Sequence, residues 1–185
     1  AIKRGSGELK GAEELQEVMY EGYGPHGIAM IVQGLSDNRN RTVSEVRHVF
    51  SRFGGNLGAD GSVAWMFARK GYIGIDPKDA DPDEVALIAI DAGAEDVETS
   101  DGVVEVYTQV TDFKAVEEAL VAAGFEVTSA QLSWIPQTTT ALDEKETIQT
   151  MKLIDALEEL DDIQQVYSNL DISDELMAKY EAQAA

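Results

Sequence analysis

Between residues 71 and 137 the hydrophobic pattern switches repeatedly between a period of two and a period near 3.6, and this constrains the fold most. Tyr72–Ile75 reads as a short strand. Asp81-Pro82 opens a helix running to about Ala92, with Pro82 in the first turn, where its missing N–H is not needed. Asp96–Glu98 and Val103–Gln109 flank Ser100-Asp101-Gly102, which is hairpin-turn chemistry. Asp112 caps a helix through Ala123, Gly124 closes it, and Val127–Ile135 makes a last strand. The order strand, helix, strand, strand, helix, strand is the split βαβ of a ferredoxin-like domain.

The flanking segments complete each other. Glu17–Tyr20 enters the glycine-rich turn Glu21-Gly22-Tyr23-Gly24-Pro25-His26-Gly27, and Ile28–Leu35 is apolar enough for a strand buried on both faces. After the polar loop Asp37-Asn38-Arg39-Asn40-Arg41, Thr42 and Glu45 form a capping box that starts a helix. Val43, Val46, Val49, Phe50 and Phe53 give that helix one buried stripe, and Gly54-Gly55 stops it. Ser62–Arg69 alternates like a strand. Lys145–Leu160 carries Ile148, Met151, Ile154, Leu157 and Leu160 at helical spacing, a strand follows near Gln165–Leu170, and Glu181–Ala185 is expected to fray. One helix and one strand cannot bury a core alone. The expected fold is therefore α+β: two α/β domains with mixed or antiparallel sheets, the ferredoxin-like unit 71–137 inserted into a discontinuous domain of residues 1–70 plus 138–185.

Composition narrows the chemistry. The longest apolar runs, Val63–Ala68 and Val85–Ile90, are six residues each, too short for a membrane-spanning helix. Cysteine is absent, which excludes disulfides, thiolate zinc sites and cysteine nucleophiles and leans mildly towards the cytosol. The 185 residues carry a net charge of −21, unevenly distributed. Residues 1–75 hold 9 Lys/Arg against 8 Asp/Glu, a net of +1; residues 76–185 hold 5 against 27, a net of −22. Such asymmetry suits one face for an anionic partner and another turned away from it; an acidic host's ordinary surface composition explains it equally well.

The candidate site is Asn38, Arg39, Asn40 and Arg41, extended along the helix by Arg47 and Arg52. Two guanidinium groups beside a positively polarised helix start are unfavourable alone and become favourable when a phosphate docks there. Guanidinium forks suit phosphate oxygens, and asparagines bond sugar or base edges. The competing reading is neutralisation of these arginines by Asp37, Glu45 and the acidic segment. Gly54–Gly61 is glycine-rich but fits no phosphate-loop spacing and reads as a turn from helix to strand. His48 is expected on the surface, and His26 to tolerate the backbone of its turn. Tyr20, Tyr23, Trp65, Phe67 and Trp134 could stack bases but are expected in the core. The acidic pairs Glu158-Glu159 and Asp161-Asp162 could hold a divalent metal, or simply form a solvated face.

Several of these segments together resemble the YebC family: Tyr20-Glu21-Gly22-Tyr23-Gly24-Pro25, Asp37–Thr42, Gly54-Gly55-Asn56-Leu57-Gly58, Gly61–Phe67, Ile135-Pro136 and Val166-Tyr167-Ser168-Asn169. The resemblance runs the whole length and implies a non-enzymatic, cofactor-free regulator of gene expression. It further implies a cytoplasmic or mitochondrial protein, related to the mitochondrial translational activator of cytochrome c oxidase subunit one. Two roles follow for such a protein: DNA-binding transcriptional regulator, or ribosome-associated translation factor relieving stalling at proline-rich stretches. Cytoplasmic location and a monomer are expected here. Set against the resemblance, the family's basic helical N-terminal domain is expected to be missing here, Ala1–Gly5 looks like the tail of its last helix, and His26 stands where glycine is usual. The expected partner is nucleic acid, DNA or ribosomal RNA. The alternatives are an acidic protein-interaction factor binding basic ribosomal or chromosomal proteins and, behind it, a metal-dependent nuclease.

Overall fold

The computed structural model describes Leu15–Ala184, so the expected helix tail at Ala1–Gly5 lies outside the described residues. In chain order the elements begin with strands β1 (Gln16–Tyr23) and β2 (Ala29–Ser36), helix α1 (Arg39–Arg52) and strands β3 (Asn56–Leu57) and β4 (Phe67–Asp76). Helix α2 (Pro82–Ala92), strands β5 (Asp96–Ser100) and β6 (Val103–Thr108), helix α3 (Phe113–Ala122) and strand β7 (Glu126–Pro136) follow. The chain then forms β8 (Thr140–Ala141), α4 (Glu144–Glu158), β9 (Ile163–Ser168), β10 (Leu170–Asp171) and α5 (Asp174–Ala184). It divides into two compact units: one from the segments up to Phe67 and from Pro136 onward, the other Ala68–Ile135.

In the first unit the sheet order is β3-β1-β2-β9. β1 pairs antiparallel with β2 from Gln16↔Ser36 to Tyr23↔Ala29, and β2 pairs antiparallel with β9 from Met30↔Ser168 to Gly34↔Ile163. Met30 and Val32 alternate onto one sheet face. There they join Val46, Val49 and Phe50 of α1 and Met151, Leu153 and Leu157 of α4 in one buried cluster. The apolar stripes read from spacing therefore do bury, and burying each large aliphatic side chain contributes about 1.5–3 kcal/mol. α1 ends in a Schellman motif. Gly54 takes φ 86°, its N–H reaches the Ser51 carbonyl, and the Gly55 N–H reaches the Phe50 carbonyl at 2.7 Å. The expected helix-to-strand turn is what this glycine pair forms, delivering β3 onto β1 at Gly22↔Leu57.

In the second unit the order β5-β6-β4-β7 is that of a ferredoxin-like sheet. Ile73, Ile75, Val104 and Val106 face Val85 and Ala89 of α2 and Val116 and Leu120 of α3. The α+β class and the ferredoxin-like unit match the expectation.

Three local expectations change. Ser62–Arg69 is not one strand: Ala64–Met66 is a 3-10 turn, and β4 runs unbroken from Phe67 through the region expected as a separate strand. The backbone N–H groups of Gly61, Val63 and Ala64 are taken by a side chain instead of a ladder, as described below. Second, α1 starts at Arg39, three residues before Thr42, because Asn38 and not Thr42 is the cap. Third, residues expected to fray, Glu181–Ala184, continue the helix that starts at Asp174.

Candidate nucleic-acid interface

The N-terminus of α1 is built from short polar contacts. Asn38 Oδ1 accepts the Arg41 N–H at 3.1 Å, and the Asn38 N–H donates to Ser36 Oγ at 2.9 Å. Thr42, buried one turn in, hydrogen-bonds Ser36 Oγ at 2.5 Å and Asp162 Oδ2 at 2.6 Å. Asn38→Ala is expected to cost about 1 kcal/mol, the usual loss for an N-cap oxygen, read as a fall of a few degrees in thermal midpoint.

The two arginines of the loop have different fates. Arg41 Nη2 lies 2.7 Å from Asp37 Oδ1 and 2.9 Å from Asp162 Oδ2, which holds the guanidinium still more firmly protonated. The Thr42 hydroxyl first, then Arg41, keep the Asp162 carboxyl below the ordinary aspartate range despite some burial. For Arg41 the competing reading holds: its charge is answered inside the protein, by a carboxylate 121 residues away. Among the described residues Arg39 hydrogen-bonds only the neutral Gln16 Oε1, at 3.3 Å. It lines an open polar cleft of about 500 Å³ with Gln16, Ser36, Asp37, Asn38 and Asn40.

Along α1, Arg47 and Arg52 are exposed, as are Asn38, Arg39, Asn40 and Arg41. At 100° per residue Asn40 and Arg47 fall within about 20° of each other on one flank. Arg52 lies on the opposite flank, its guanidinium 5.3 Å from the Phe53 ring centre. Among the described residues, no carboxylate pairs with Arg39, Arg47 or Arg52. His48 is exposed, and His26 takes the left-handed φ of 65° in its turn, held by Glu146 at 3.3 Å and Gln149 at 2.9 Å.

One residue that shapes this surface escaped the reading of the chain. Glu21 is 4% exposed, and its carboxylate accepts N–H groups from Gly61 at 2.7 Å, Val63 at 3.0 Å and Ala64 at 2.7 Å. Burial pushes its pKa up, but the three N–H donors outweigh that and the net shift is downward. This clamp carries Trp65 outward. Of the five aromatics expected in the core, Phe67 is buried, whereas Trp65 is 68% exposed. A carboxylate in the middle of a strand otherwise closing on glycines was the available signal for Glu21.

Among the described residues no group of three or more His, Asp or Glu side chains is placed to hold a metal ion, and no helix is long and apolar enough to cross a membrane. Fold and site thus define a two-unit α+β protein whose polar machinery is an open surface: an arginine-bearing helix face and a clamped aromatic loop. Comparison with known proteins agrees with the fold. The family model described as "TACO1/YebC second and third domain" matches residues 15–170. A probable transcriptional regulatory protein of Dehalococcoides mccartyi is 51% identical over 184 residues, covering 100% of this chain and 73% of that protein. Another from Fusobacterium nucleatum is 51% identical over 178 residues, covering 96% of this chain and 71% of that protein. The crystal structure of a conserved hypothetical protein from Aquifex aeolicus superposes with a TM-score of 0.84 at 47% identity, covering 94% of this chain and 71% of that one. The chain belongs to the TACO1/YebC family.

Proposed function

We propose that this chain is a non-enzymatic, cytoplasmic regulator of gene expression that contacts nucleic acid through the exposed face of α1. Arg39, Arg47 and Arg52 position phosphates, and Asn38 and Asn40 border the contact with their polar side chains. The observation that carries the reading is the exposure of three guanidinium groups without carboxylate partners among the described residues, on a chain of net charge −21. In such a chain an unanswered cationic helix face calls for an outside anion. Arg41 stands behind the contact, paired with Asp37 and Asp162, and offsets one of their two negative charges.

The test is the salt dependence of binding. The triple substitution Arg39→Glu, Arg47→Glu, Arg52→Glu is expected to weaken binding to a DNA duplex or to ribosomal RNA. It should also flatten the log affinity–log salt slope by about 0.9 per lost contact on B-DNA and about 0.7 on single strands. An unchanged slope in a correctly folded variant refutes the assignment. Phosphate chemistry is common to a transcriptional and a translational role. Co-sedimentation with ribosomes, set against binding to duplex DNA at physiological salt, separates them.

A second reading has its own observation. On the face of the second sheet opposite α2 and α3, register brings Tyr72 beside Tyr107 and Glu98 beside Glu105. The Tyr72 hydroxyl donates to Glu105 at 2.9 Å. Burial first, and then Glu105, push the Tyr72 pKa up to about 12. A face of this kind suits basic protein segments. Partners recovered from nuclease-treated lysate that depend on Glu98 and Glu105 support it; partners lost with the nucleic acid do not.

A further inference from the structure

Trp65 is the most exposed large hydrophobic residue among the described residues, at 68%, yet its ring is tied back to the loop. Its Nε1–H donates to the Ser62 carbonyl at 3.0 Å. The backbone on either side of Ser62 is held by the buried Glu21 carboxylate through Gly61, Val63 and Ala64. A buried charge is costly unless fully hydrogen-bonded, and here its bonds serve to hold an indole out in water. Fixing a flat aromatic in advance removes the ordering cost that a partner would otherwise meet.

Beside the ring lies a cleft of about 270 Å³ lined by Trp65, Met66, Gln137, Thr138, Thr140 and Asn169. That is smaller than the roughly 300–1,000 Å³ of drug-sized pockets and suits a single planar group. No charged side chain lines it. Its polar groups are amides and hydroxyls, each able to donate and accept. Asn169 is itself anchored: its Oδ1 accepts the Ala29 N–H at 3.0 Å and its carbonyl accepts the Thr140 N–H at 2.7 Å, leaving Nδ2 for an outside acceptor.

From this arrangement we infer that Trp65 and its cleft bind an unpaired nucleobase of a single-stranded nucleic acid, the base stacking on the indole and its edge meeting Gln137, Thr138, Thr140 and Asn169. A base is the ligand that joins an extended π face to a rim of alternating donors and acceptors. An aliphatic or proline side chain would leave those four polar groups unmatched. A paired base has its edge occupied and its face stacked, so duplex is excluded. The inference deepens the nucleic-acid reading above and rests on it.

The chain has two tryptophans, so in Trp134→Phe the emission reports Trp65 alone. The Nε1 of Trp134 is buried without a partner, which makes phenylalanine a mild replacement there. Ten-nucleotide oligo-rU and oligo-dT, and a ten-base-pair duplex, are titrated against the full 185-residue chain at low salt, with anisotropy reporting binding independently. Single strands are expected to quench Trp65 and the duplex to leave it bright. If only oligo-rU or only oligo-dT quenches, that strand is the source of the base. Trp65→Ala should lower single-strand affinity about tenfold, and Trp65→Phe should retain most of it. Bound single strands that leave Trp65 unquenched, equal quenching by duplex, or unchanged affinity in Trp65→Ala each overturn the inference while leaving the arginine face standing. Failure of the parent chain to bind any of the three oligonucleotides, or ribosomal RNA, overturns both.

Discussion

Gly34→Ala is expected to destabilise the first unit by about 4 kcal/mol, at the upper end for a single substitution. β2 meets β9 at a register irregularity between Gln33 and Gly34, and the Leu35 N–H donates to the Asp162 carbonyl at 2.9 Å. A Cβ on Gly34 would collide with that same carbonyl oxygen and would lie 3.1 Å from Ile163 Cα. Backbone cannot rotate aside as a long side chain can, so the strands must part. Asp162 would move with them and release Arg41 and Thr42, coupling a strand defect to the start of α1. Thermal unfolding followed by circular dichroism should show the midpoint lowered by about 10 °C. A loss below about 1 kcal/mol would mean that the strands do not approach this closely.

The second large effect belongs to Glu21. Glu21→Ala strands three N–H donors around a buried void, at a cost of about 3 kcal/mol. Glu21→Gln keeps one acceptor but turns an amide N–H2 towards backbone donors, and about 2 kcal/mol is expected. The pH dependence has a definite sign. Because the folded pKa is depressed, the carboxylate contributes stability that is fully present above its unfolded pKa of about 4.3. That contribution is lost as pH falls through the lower folded value. Asp162, depressed by Thr42 and Arg41, acts in the same sense. Glu21→Gln should therefore narrow the difference from the parent chain as pH drops below about 4, measured by denaturant unfolding across a pH series. A constant difference between pH 7 and pH 3 would show that the charge on Glu21 is not what the loop needs.

Much of the candidate site was legible because its elements are local. The stripe Val46, Val49, Phe50 implies the orientation of α1, and an apolar stripe on one side leaves Arg47 and Arg52 on the other. The start of the helix was misplaced by three residues because Asn38 and Thr42 are both good cap residues by type. Asn38 wins since Ser36 receives its N–H and Thr42 is drawn down to Asp162. The alternation in Ser62–Arg69 mimicked a strand for a similar reason. Period two records which side chains share a side, while the hydrogen-bonding partner of the backbone lay 42 residues away at Glu21.

What the order of residues determined alone was the alternation of strand and helix in the ferredoxin-like unit, the buried faces of α1 and α4, and the glycine stop at Gly54-Gly55. These follow from period and backbone freedom, which act over a few residues. The tertiary structure alone decided that Asp162 joins Asp37 in answering Arg41 while no described carboxylate answers Arg39, and that Trp65 stands in solvent instead of the core. Both outcomes involve carboxylates, Asp162 and Glu21, brought from distant parts of the chain. The position of a charge in space is set by packing, which no local pattern encodes.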